Sequence, residues 1–142
     1  MNIVKLLLLL AVVGAGYHQW SRHEDAQAFA SEAQGGSNGF VSVLMPSGTK
    51  SGVVLVLAPE NCPSEDAQRA ASLADRLESL GIPVQRSNHF SSEVSNPTAD
   101  QRDRLNRAVA VINGEVPAVF VNGMAKSNPS LEEVVAQYKG AK

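Results

Sequence analysis

Residues 52–58 run Gly-Val-Val-Leu-Val-Leu-Ala without a single polar side chain. A continuous run of β-branched residues and leucine suits a central strand covered on both faces, and Pro59 ends it. Upstream, "FVSVLM" (40–45) alternates and is rich in strand formers, and "PSGTKSG" after it is turn material. Beyond Pro59 the period becomes helical. Ser64 is a ready N-cap, and Glu65 and Asp66 fill the first turn, where the helix dipole favours acids. Ala70, Leu73, Ala74, Leu77 and Leu80 form one apolar stripe, and Gly81 stops it.

The same alternation of periods continues. "IPVQRS" (82–87) reads as a strand and 88–97 as a loop. A second helix begins near Thr98, with Gln101 at the spacing of a capping box. Its expected buried face is Leu105, Ala108, Val109 and Ile112, and Gly114 ends it. "VPAVFVNGMAK" predicts a β-hairpin, because Asn122-Gly123 suits a type I′ turn whose two central residues need positive φ. Asn128 or Ser130 caps a last helix, with Ser130 and Glu133 at capping-box spacing and Leu131, Val134, Val135 and Tyr138 on its apolar face. From residue 52 the order is β-α-β-α-β-β-α. A strand–helix–strand crossover pairs its strands in parallel and a hairpin pairs them antiparallel. The expected fold is α/β, a small mixed sheet with helices on both faces.

The N-terminus breaks this pattern. Residues 6–16 are uninterruptedly apolar after a single Lys5, and Tyr17 and Trp20 follow where an aromatic belt would sit. With Ile3 and Val4 added and Lys5 able to snorkel, residues 1–20 predict an uncleaved membrane anchor. The alternative is a cleaved signal peptide with a small-residue site around Val13-Gly14-Ala15. In both cases the remainder is expected on the exported side, periplasmic or otherwise extracytoplasmic. Residues 21–39 are polar and small, helical over 24–33 and then flexible through "GGSNG", and form a linker. Residues 40–142 are the folded domain, of common domain size.

The chain has 142 residues, a net charge of −2, 44% hydrophobic residues and 5% aromatic ones. One domain with a modest aliphatic core follows. A nucleic-acid partner would need a basic face, and the charge balance argues against one. "DQRDRLNR" in the second helix mixes signs at close spacing and reads as a solvated, ion-paired face. His89 is expected in a loop and His18 and His23 in the linker, with no metal-ligand spacing and no glycine-rich phosphate loop.

The candidate chemistry is Cys62, the only cysteine, in "PENCPSED" where the apolar strand gives way to a helix start. One thiol cannot form an internal disulfide. Unpaired N–H groups and the positive dipole end at a helix N-terminus favour thiolate, the nucleophile. Glu60, Glu65 and Asp66 oppose this, because nearby negative charge disfavours thiolate. A thiol with little activation is expected.

The element order, "NCPSE" (61–65) and "EVPAVFVNG" (115–123) together resemble the thioredoxin fold, and its glutaredoxin-like members most closely. The resemblance covers about residues 52–139. It implies a three-layer α/β/α domain in which Pro117 is a cis proline packed beside Cys62. It further implies that Pro63, Val116 and Pro117 line a groove for a peptide or glutathione, Val116 presenting its backbone. Two functions are open. In one, Cys62 alone performs thiol–disulfide exchange, forming a mixed disulfide with glutathione or a client protein. In the other, the domain is a non-catalytic binding module. Glu65 stands at the family's second cysteine, which excludes a dithiol cycle. Pro63-Ser64-Glu65 also departs from the tail of monothiol members, and Lys126 to Ser130 from the family's Gly-Gly and acidic segment. No resident cofactor or metal is implied. Glutathione is the one small molecule the resemblance introduces, and the oligomeric state is open, as is a third reading as an envelope structural protein.

Overall fold

A computed structural model describes residues 38–59 and 63–140. The expected anchor at 1–20, the linker as far as residue 37 with its helix at 24–33, and Cys62 lie outside the described residues. The domain belongs to the unit Gly35–Lys142.

Among the described residues, five strands and three helices follow in the order β1 (Val41–Ser42), β2 (Val54–Leu57), α1 (Glu65–Ser79), β3 (Val84–Ser87), α2 (Ala99–Ile112), β4 (Ala118–Val121), β5 (Met124–Ser127) and α3 (Leu131–Gly140). They build one mixed sheet in the order β1-β5-β4-β2-β3. β2 and β3 are parallel, and every other pair is antiparallel. The fold is therefore α/β with a five-stranded mixed sheet.

Period-two alternation divides each central strand between two cores. Val54 and Val56 of β2 and Val119 and Val121 of β4 face α1 and α3, packing on Ala70, Leu73, Ala74, Leu77 and Val134. Leu55, Leu57, Ala118 and Phe120 face the other way, onto Ala108 of α2, Val43 and Ala125. Phe90, from the loop after β3, stacks on Phe120 with ring centroids 6.1 Å apart. Helices thus cover both faces of the sheet. All four residues of β2 and of β4 are buried, so their unbroken apolar runs are explained by two-sided covering.

Local signals account for the ends of the elements. The Ser64 hydroxyl accepts from Ala67 N–H at 3.2 Å, starting α1. Gly81 closes it at φ +77°, with Gly81 N–H donating to Glu78 O and Ile82 N–H to Leu77 O, a Schellman motif. Thr98 and Gln101 form a reciprocal capping box on α2, and Ser130 and Glu133 do the same on α3. Asn122 and Gly123 have φ of 52° and 78° and connect β4 to β5 by the expected tight turn.

Several positions differ from the sequence expectation. The strand expected over 40–45 shrinks to two residues, because Leu44 N–H donates to Arg104 O of α2 and leaves the sheet. Leu80 is the C-cap of α1 and is 58% exposed, and Val109 is 42% exposed on the outer side of α2. α2 is not an ion-paired face: among the described residues no ion pair lies on it. Two of its arginines turn inward instead. Arg104 Nη2 donates to Val43 O at 2.9 Å and Arg107 Nε to Ser42 O at 2.6 Å, supplying donors to the last carbonyl of β1 and to the one that follows it.

Candidate functional site

The pairing of Ala118 with Leu57 puts Pro117 at the carboxyl end of β2, the end from which residues 58–64 lead into α1. The Val116–Pro117 peptide bond is cis, and the Pro117 side chain is fully buried. α1 therefore passes beside this segment, and one side chain joins them: Arg69 Nη1 donates to Val116 O at 2.8 Å. The same Nη1 lies 3.2 Å from Asp66 Oδ1, one helical turn back.

The loop from β5 to α3 closes the third side. Asn128, at φ 43°, donates its backbone N–H to Pro117 O at 2.7 Å and its Nδ2 to Glu115 Oε2 at 2.9 Å. A short polar side chain tolerates this left-handed conformation. Asn128 thus ties the loop to both sides of Val116. Ser130, expected as one of two alternative caps, is the one that caps α3.

Between α1, Pro117 and the start of α3 lies a groove of about 410 Å³. Leu73, Pro117, Pro129 and Leu131 give it an apolar floor, and Arg69, Ser72, Arg76 and Glu132 give it polar walls. The α3 wall is electrostatically settled from within. Glu133 has its carboxyl held below the usual carboxylate range, first by the Lys126 ammonium at 2.6 Å and then by Ser130 N–H at 2.8 Å. Glu132 is also held low, first by a hydrogen bond from its own backbone N–H, then by the Ser130 hydroxyl, with a further contribution from the Arg76 charge.

Of the residues expected at the site, Pro117 lines this groove and Val116 is half-buried beside it, bonded to Arg69. Pro63 is exposed ahead of the α1 cap, its carbonyl accepting from Gln68 Nε2 at 3.1 Å, and it is not part of the groove wall. Arg69, Ser72, Arg76, Asn128 and Glu132 were not anticipated as site residues. Arg69, Ser72 and Arg76 recur at i, i+3 and i+7 along one flank of the α1 stripe, a periodicity that could have marked them. His89 is exposed in the loop after β3, with Nδ1 3.1 Å from Asn88 Oδ1. Among the described residues no group of three or more His, Cys, Asp or Glu could hold a metal.

No protein-family profile, no curated protein and no solved structure matches this chain.

Proposed function

We propose that this is a thioredoxin-like domain of glutaredoxin-like order, held at a membrane by residues 1–20 on the exported side, that binds a partner polypeptide in the groove beside Pro117. One observation carries the reading. α1, the Val116–Pro117 segment and the start of α3 converge on a single groove with an apolar floor. The sheet order β3-β2-β4-β5, with β2 leading into α1 and β4 following a cis proline, supports the thioredoxin-like assignment. An apolar floor with a few fixed polar groups is the usual make-up of a recognition site.

Photo-crosslinking in the membrane-embedded full chain tests this reading. A benzophenone amino acid in place of Ser72 should capture a discrete polypeptide, and the same probe in place of Val109, on the opposite helix layer, should not. Capture from position 109 alone would place the partner on the wrong face.

A second reading is monothiol exchange through Cys62, favoured because the observed N-cap Ser64 follows that cysteine by two residues. In this reading the Cys62 thiolate attacks one sulfur of a client or glutathione disulfide. A mixed disulfide forms, and the other sulfur leaves as thiolate. Cys62→Ser then abolishes exchange with glutathione disulfide, whereas a binding module keeps its position-72 crosslink in that variant.

A further inference from the structure

The polar groups that the α1 side offers the groove are donors, and Arg69 is the reason. Val116 O is the main-chain acceptor that a strand-like peptide would use beside Pro117, and Arg69 Nη1 already occupies it at 2.8 Å. Nη1 is also shared with Asp66. Arg69 keeps Nε and Nη2, the edge whose side-on fork matches a carboxylate. Arg76, seven residues on, makes no ion pair among the described residues, and Ser72 lies between them on the groove wall. The α3 end does not compete for an incoming anion. The Ser130, Glu132 and Glu133 N–H groups are taken by the Glu133 carboxyl, the Glu132 carboxyl and the Ser130 hydroxyl, and Glu132 places a carboxylate on that rim.

We propose that the groove selects an acidic segment of a partner polypeptide, with two carboxylates bound along α1 by Arg69 and Arg76. This rests on the groove reading above. Seven residues of helix span about 10 Å, and one three-residue turn of a polyproline II chain spans about 9 Å and returns the side chain to the same face, so acids at i and i+3 of a peptide in that conformation meet both guanidinium groups. Arg69 serves as a specificity residue twice: it masks the Val116 acceptor and presents its own donors in exchange.

Fluorescence anisotropy on the full chain in detergent tests this. The probe is an end-blocked, fluorescein-labelled hexapeptide, Gly-Asp-Gly-Gly-Asp-Gly, and the reference has Asn at both Asp positions. The acidic peptide should bind about tenfold tighter, each exposed pair contributing about threefold, and the difference should shrink as salt rises. Arg76→Ala should weaken the acidic peptide about threefold, and Glu132→Gln should tighten it. Arg69→Ala should cut the preference for the acidic peptide to about threefold, the share left to Arg76, while the freed Val116 O becomes available to both peptides alike. Equal wild-type binding of both peptides overturns the selectivity and leaves the groove reading standing. Binding of neither overturns the proposal too, and the position-72 crosslink then reports separately on the groove. An Arg76→Ala variant that is folded and binds the acidic peptide like wild type also overturns it.

Discussion

Arg69 Nη1 donates to Val116 O at 2.8 Å across 47 positions of sequence. This bond is the direct side-chain link from α1 to the segment ahead of Pro117. Both ends are partly solvated, so its contribution is that of an ordinary charge-assisted bond reduced by screening. Arg69→Ala should lower stability by about 1 kcal/mol in urea denaturation. Arg69→Lys should recover only part of that, because the shorter lysine side chain does not carry its ammonium to the position from which Nη1 serves Asp66 and Val116 O together. Full recovery by lysine would show that charge alone matters here.

Gly114 is packed too closely to carry a side chain. A Cβ there would run into Ser127 Oγ and lie 2.9 Å from Ser127 Cβ, and the hydroxyl is itself held by a 2.8 Å bond to Val111 O. Gly114→Ala should cost about 1–3 kcal/mol by overpacking. Adding Ser127→Gly should return part of the loss, giving a non-additive cycle. Strict additivity would mean that the two positions do not touch.

Leu77 and Leu80 share the stripe of α1 but not its fate. Leu77 is 0% exposed, and Leu80, at the C-cap, is 58% exposed. Leu77→Ala should cost about 2–5 kcal/mol, and Leu80→Ala should stay within about 0.5 kcal/mol of wild type. Similar losses at both positions would contradict the observed burial.

The Glu133 pair gives a pH dependence of known sign. Its carboxyl is depressed by Lys126 and by Ser130 N–H, so its contribution is present above the unfolded value of about 4.3 and is lost as pH falls through the lower folded value. Glu133→Gln should cost about 1 kcal/mol at pH 7, the scale of a helix cap. The gap to wild type should close below about pH 4. A gap that stays constant from pH 7 to pH 3 would assign the effect to packing rather than charge.

What could be read from the sequence was local. The apolar run of 52–58, the caps at Ser64 and Thr98 and the Asn122-Gly123 turn each declare themselves within a few residues, because one turn of backbone geometry decides them. Distant partners decide the features that differed. Leu44 leaves the sheet for a carbonyl of α2, Arg104 and Arg107 fold inward to the Val43 and Ser42 carbonyls, and Val109 faces outward despite its apolar spacing. The cis bond before Pro117 came from the family resemblance alone, since composition favours trans. The groove itself was half legible. Pro117 and Val116 were named from that likeness, but its polar wall on α1 depends on which side of the helix α3 approaches, and the apolar stripe does not encode that.

The proposed partner polypeptide lies between α1, Pro117 and the start of α3. Amide hydrogen exchange on the full chain, with and without its crosslinked partner, reads that placement segment by segment. Added protection is expected over residues 65–76, 115–118 and 128–132, with 84–93 and 99–112 unchanged. Protection confined to 84–93 or 99–112, with the groove segments exchanging as in the free chain, would contradict it.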